Sequence, residues 1–130
     1  MARILVVDDD SGIRELLKVI LESEDHTVKV AIDGVHALAL CENEEFDLVV
    51  SDYMMPRMTG PEFFRALRQR GKMMPVIIVS GEDSEDLDKL MKGGISGWIP
   101  KPFKNEVFID LVRTQLTIWL SHPRFSPQSN

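Results

Sequence analysis

Residues 3–10 read RILVVDDD, a short apolar run set directly against three carboxylates. Ile4 to Val7 are uninterrupted and mostly β-branched, the pattern of a strand buried on both faces. Asp8, Asp9 and Asp10 at its end pose a physical problem. Like charges this close repel, and carboxylates beside an apolar edge lose hydration. Either something compensates them or they are solvated in a loop, and the rest of the chain decides between the two.

Outward from this stretch, apolar strands alternate with helical patterns. Ile13, Leu16, Leu17, Ile20 and Leu21 recur at the spacing of one helix face. TVKVA (27–31) alternates and predicts a partly exposed strand. A helix follows, with Asp33 as its N-cap and Ala37, Leu38 and Cys41 along it. DLVVS (47–51) is a third strand and YMMPRMTG (53–60) a loop. Pro61 suits the first turn of a helix whose apolar side is Phe63, Phe64 and Leu67. PVIIVS (75–80) is a strand of the most buried type. A short helix with Leu87, Leu90 and Met91 leads to GGISGWIP (93–100), which carries the fifth strand, and the last helix runs from about Lys104 to Leu120. Five strand–helix units in order predict a doubly wound α/β fold, an open five-stranded parallel sheet with helices on both faces. Residues 1–121 are expected to form one domain and 122–130, rich in Pro and Ser, a tail or the start of a linker.

Composition narrows the class. A chain of 130 residues with 44% hydrophobic and 28% charged residues suits one soluble domain with a single core. It contains neither an apolar stretch long enough to span a bilayer nor the pattern of a signal peptide, so a cytoplasmic protein without membrane association is expected. The single cysteine, Cys41, excludes an internal disulfide, fits a reducing compartment and reads as core filler. A net charge of −6 argues against direct nucleic-acid binding.

In an open α/β sheet, ligands bind beyond the carboxyl ends of the strands. Asp8, Asp9 and Asp10 follow the first strand, Asp52 the third and Lys101 the fifth, while Ser80 ends the fourth. Topology alone gathers these groups at one edge. A hard divalent cation with oxygen ligands would neutralise the acidic residues; Mg2+ is the expected one, since it accepts few carboxylates and keeps waters that a phosphate can replace. A carboxylate beside Mg2+, with the Ser80 hydroxyl and the Lys101 ammonium in reach, suits phosphoryl transfer onto oxygen.

Four motifs, ILVVDDD, DLVVSDYMMPRMTG, PVIIVSG and GWIPKPF, resemble in order and spacing the receiver domain of two-component response regulators, over residues 3 to about 120. The resemblance implies a flavodoxin-like (βα)5 fold in which Asp52 takes a phosphoryl group, as an acyl phosphate, from a histidine kinase or phosphotransfer protein. It implies that Asp9, Asp52 and the backbone carbonyl of Met54 ligate Mg2+, with Asp8 acting mainly through metal-bound water. Ser80 matches the hydroxyl that contacts the phosphoryl group and Lys101 the lysine that pairs with it. The Lys101–Pro102 bond falls where the family has a cis peptide. Such a chain is a signalling phosphoacceptor and not an enzyme, its only catalysis being phosphotransfer to its own aspartate and self-dephosphorylation. Phosphorylation would shift the population toward a form in which Ser80 and the loop at 81–86 close on the phosphoryl group, and Met54 and Glu82 would tune water access. The surface of the fourth helix, fifth strand and fifth helix would then change to control an output domain or effector protein.

Some residues stand apart from this pattern. Asp10 reads as a helix N-terminal charge, not a ligand. Trp98 occupies the place of a usually smaller ring that turns inward with the hydroxyl residue. Its size leaves open whether the indole switches with Ser80 or stays at the surface as a partner contact. Met54, Met55 and Met58 read as packing, and His26, His36 and His122 lack metal spacing. The last helix carries more apolar residues than one sheet can cover, which predicts a partner or a phosphorylation-sensitive homodimer. Two other functions stay open: a receiver-like scaffold with an unused site, and a Mg2+-dependent phosphohydrolase with Asp8 as nucleophile and Asp10 as acid/base.

Overall fold

A computed structural model gives the fold; it describes residues 1–81 and 85–122, apart from the side chains of residues 85–87 and 90. Five strand–helix units follow one another: β1 (Arg3–Val7), α1 (Ser11–Ser23), β2 (Thr27–Ala31), α2 (Gly34–Asn43), β3 (Leu48–Asp52), α3 (Gly60–Gln69), β4 (Val76–Ser80), α4 (Glu85–Lys92), β5 (Gly97–Pro100) and α5 (Asn105–Ser121). All strand pairs are parallel, in the order β2-β1-β3-β4-β5. The chain reverses direction across the sheet at β1, which sets the crevice between β1 and β3 as the natural binding position.

Period-two alternation divides the strand residues between two cores. Ile4, Val6, Leu48, Val50, Ile77 and Val79 face α1 and α5, where Leu17, Leu21, Phe108 and Val112 meet them. Leu5, Val7, Val49, Val76 and Ile78 face the other layer and pack on Ala37, Leu38, Phe63 and Leu67 of α2 and α3. Ile4 to Val7 are all buried, as the uninterrupted run predicts, and each contributes about 1.5–3 kcal/mol of transfer free energy. Along the edge strand β2, residues 27–30 alternate between exposed and partly buried, as the pattern predicts, and Ala31 is buried.

Helix starts follow the capping chemistry of the sequence. Asp10 Oδ1 accepts the Gly12 and Ile13 amides at 2.8 and 3.2 Å, and Asp33 Oδ1 accepts the His36 amide at 2.8 Å. At α3, Thr59 and Glu62 form a reciprocal capping box, with Pro61 in the first turn.

Three expectations change in detail. Leu16 faces water, because the buried arc of α1 is narrower than the periodicity implies and centres on Leu17, Ile20 and Leu21. Strand β3 extends to Asp52, whose ladder partner is Val79, so Asp52 ends the strand instead of following it. Met91 of α4 is exposed. The wide apolar face of α5 divides, in line with the expectation that one sheet cannot cover it: Phe108, Val112 and Leu116 are buried on the α1 side, Trp119 packs against the opposite core, and Val107, Ile118 and Leu120 are exposed. The expectations for Leu87, Leu90, Glu82, the loop around 82–84 and the tail beyond His122 fall outside the described residues. No helix among the described residues is long and apolar enough to cross a membrane.

Candidate functional site

The carboxyl ends of β1, β3, β4 and β5 bring the predicted residues to one edge. Asp8 extends the β1 ladder by one bond, its amide donating to the Ala31 carbonyl at 3.2 Å. Its side chain is 1% exposed. Oδ1 accepts the Asp10 amide at 2.9 Å, and Oδ2 lies 3.3 Å from Lys101 Nζ. Asp52 Oδ1 accepts the Tyr53 amide at 2.8 Å and lies 3.4 Å from the same ammonium. Asp9 is exposed. One carboxylate oxygen from each of Asp8, Asp9 and Asp52 lies within 4.8 Å of the others, a cluster that can hold a metal ion. Oxygen donors alone, all anionic, suit a hard divalent cation and offer nothing to a soft one.

Lys101 is placed by the backbone. Its amide donates to the Ser80 carbonyl at 2.8 Å, continuing the β4–β5 ladder, and the Lys101–Pro102 peptide is cis. Ser80 is buried at the end of β4, one residue beyond the Asp52–Val79 pair on the adjacent strand. Trp98 pairs in register with Ile78 and is partly buried against the core on the α2–α3 face. Met54 lies two residues past Asp52 with its side chain exposed.

The charges are only partly balanced. Burial first, and then the charge of Asp8, push the Asp52 carboxyl above the usual carboxylate range; Lys101 and the Tyr53 amide pull it down without cancelling that push. Burial works against the charge on Lys101, but Asp52 and Asp8 outweigh it and hold the ammonium above the ordinary lysine value. Asp52 is therefore a carboxylate held in a repulsive position beside the Lys101 ammonium.

Asp10 stays outside the cluster, its Oδ1 engaged by two helix amides. Cys41 is buried and its thiol pushed up to about 11, chiefly by burial, which disfavours the reactive thiolate. Met55 is buried and Met58 packs against the α2–α3 core. His26 Nδ1 accepts the Ala2 amide and His36 Nδ1 the Ile32 amide, both remote from metal chemistry.

Three contributors went unread in the sequence. Arg14 Nη1 donates to the Asp8 carbonyl at 2.7 Å. Gly60 donates its amide to the Tyr53 carbonyl at 2.8 Å, and a Cβ at Gly60 would lie 2.5 Å from the Asp52 carbonyl oxygen. Asp33, expected only as a cap, also accepts from Arg57 in the β3–α3 loop. The His36 amide foremost, with Arg57 behind it, holds the Asp33 carboxyl below its ordinary value against the opposing effect of burial. The TG step before Pro61 carried a hint of the close approach at Gly60. No local pattern marks a pair 24 residues apart.

Comparison with known proteins places this geometry in context. The sequence model of the response regulator receiver domain matches residues 4–113. The response regulator MprA of Mycobacterium sp. (strain KMS) is 40% identical over 115 residues, which are 88% of this chain and 50% of that protein. The chain thus spans about half the length of the curated relatives it matches. The receiver domain of the Francisella response regulator 1452 superposes with a TM-score of 0.85 at 32% identity, covering 91% of this chain and 98% of its own. The response regulator TrrA of Thermotoga maritima, solved in complex with Mg2+-BeF, gives 0.81 at 31% identity, covering 88% and 99%.

Proposed function

Because the chain belongs to the response regulator receiver domain family, we propose that it is a phosphoacceptor of two-component signalling, with Asp52 as the residue that takes the phosphoryl group. One observation carries this: Asp52 sits at the strand-end crevice with Lys101 at 3.4 Å and the carboxylates of Asp8 and Asp9 beside it. The donor is a phosphohistidine of a kinase or phosphotransfer protein. An Asp52 carboxylate oxygen attacks phosphorus, the O–P bond forms as the P–N bond breaks, and the departing imidazole nitrogen leaves with the electron pair. Lys101 and the Ser80 hydroxyl stabilise charge on the phosphoryl oxygens. Asp8, Asp9, Asp52 and the Met54 carbonyl would hold Mg2+, which supplies further charge neutralisation when bound; the Mg2+-BeF complex of TrrA supports that choice of metal. The chain acts as a signalling phosphoacceptor and not an enzyme with turnover on a small substrate. Its product state is read out by an output domain or effector, with Ser80 and the partly buried Trp98 as the switching pair.

The phosphohydrolase reading finds less support. It needs Asp8 as an attacking group, yet Asp8 is buried with both oxygens engaged, and it needs Asp10 as acid/base, yet Asp10 caps α1. Incubation with acetyl phosphate and Mg2+, followed by borohydride trapping and peptide mapping, is expected to place one label on Asp52 and none on Asp52→Asn. Label on Asp8 would assign the chain to hydrolysis instead; no label, even with a histidine kinase, would leave it a scaffold.

A further inference from the structure

The β3–α3 loop, residues 53–59, is closed on itself by the Gly60–Tyr53 and Met58–Pro56 backbone bonds, both 2.8 Å. Met55 and Met58 pack the loop against the α2–α3 core, and Arg57 adds a polar tether to it. That residue has φ +69°, a left-handed conformation that favours glycine. Holding an arginine there requires a compensating contact, and the side chain supplies one: Nε and Nη2 both donate to Asp33 Oδ2, with Nε at 2.9 Å. Asp33 is buried and rigid, since its other oxygen caps α2 through the His36 amide. The next residues reinforce the junction, because a Cβ at Gly34 would lie 2.9 Å from Met58 Sδ, so α2 lies flush on the loop.

We propose that the Asp33–Arg57 pair is a clamp that positions the metal-binding loop, so that Mg2+ affinity depends on two residues outside the acidic cluster. The inference rests on the receiver reading above, in which the Met54 carbonyl is a Mg2+ ligand. A carbonyl three residues from an anchored arginine is held in place by the anchor. Partners that orient metal ligands from behind typically change affinity by about 10–100-fold when removed.

Two variants separate positioning from stability. Arg57→Gly removes the clamp and relieves the left-handed backbone, which offsets part of the cost of leaving Asp33 without its charged partner. Asp33→Asn keeps an N-cap side chain and removes the charge. Mg2+ binding is measured by calorimetry on the full chain, alongside thermal melts without metal and amide exchange of residues 54–58. The expected result is about tenfold weaker Mg2+ binding and faster loop exchange in both variants, each of which still melts cooperatively without metal. Arg57→Lys, which keeps one charged contact, falls between. Wild-type affinity in Arg57→Gly and Asp33→Asn overturns the clamp while leaving the receiver reading intact. No Mg2+ binding by the wild-type protein overturns both.

Discussion

Replacing Lys101 with Met tests how the acidic edge is held together without metal. Methionine keeps most of the apolar stem and removes the only side-chain cation among the described residues in contact with both Asp8 and Asp52, at 3.3 and 3.4 Å. At an effective dielectric of about 20, each contact has a gross Coulomb energy of about 5 kcal/mol. Desolvation of the ammonium offsets much of this, and breaking a buried pair costs about 3–5 kcal/mol net. The Lys101 side chain is 23% exposed while Asp8 is 1% exposed, which favours the lower end, about 3 kcal/mol. For a domain of this size that corresponds to roughly 10 °C in Tm. The loss depends on pH. Without Lys101 the Asp52 carboxyl, already above its unfolded value, rises further. A carboxylate with a raised folded pKa binds protons more readily in the native state, so stability falls as pH rises through that pKa. The gap between Lys101→Met and wild type should therefore be largest near pH 8 and shrink toward pH 4. Mg2+ should act in the opposite sense: with its competitor gone, the cluster binds the ion about tenfold tighter, adding about 1.4 kcal/mol to the stabilisation it confers. Thermal melts at pH 4, 6 and 8, with and without Mg2+, measure both effects. Equal stability of the two proteins in metal-free buffer at pH 8, or an equal gain from Mg2+, would refute the reasoning.

Other perturbations probe the neighbouring roles. Asp10→Ala should lose about 1 kcal/mol through the α1 cap, in urea titration, with an unchanged gain from Mg2+; a reduced gain would make Asp10 a ligand. Gly60→Ala places a Cβ against the Asp52 carbonyl, backbone against backbone, and should cost about 1–3 kcal/mol and slow labelling by acetyl phosphate; an unperturbed variant would show that the close approach relaxes freely. Asp52→Asn removes a carboxylate held above its ordinary pKa by burial and Asp8, so in metal-free buffer at pH 7 it should be at least as stable as wild type. That advantage should disappear toward pH 4, and marked destabilisation at pH 7 would contradict the repulsion inferred for the site.

Most of the fold was legible because each strand is short, apolar and bounded by residues that cannot continue it. Ile4–Val7 and Val76–Val79 are buried on both faces, and β2 is half exposed, as their patterns predict. The site was legible for a different reason: in a doubly wound sheet, residues that end different strands meet at one edge, so Asp8, Asp52, Ser80 and Lys101 need no shared local pattern to be brought together. What escaped was geometry set by tertiary packing. Leu16 matches the helical period and still faces water, because the arc of α1 that the sheet covers is decided by the crossing of helix and sheet. The second oxygen of Asp33 went to Arg57, a choice that the positive φ at residue 57 makes available and that no spacing rule encodes.

The three adjacent aspartates have three fates, and the difference is in their backbones. Asp8 continues the β1 ladder through its bond to Ala31, so its side chain is desolvated and depends on Lys101. Asp10 already has cap geometry, with φ −87° and ψ 114°, so its carboxylate is used by helix amides and adds little to the repulsion. Asp9 lies between them, exposed, with an oxygen that joins Asp8 and Asp52. Among the described residues one ammonium touches the cluster, and it cannot neutralise three carboxylates. More positive charge would stabilise the metal-free fold but would compete with a divalent cation for the same oxygens. A single lysine, close enough to be shared by Asp8 and Asp52 and unable to satisfy both fully, lets the edge fold without metal and leaves a cluster of oxygens that can hold one.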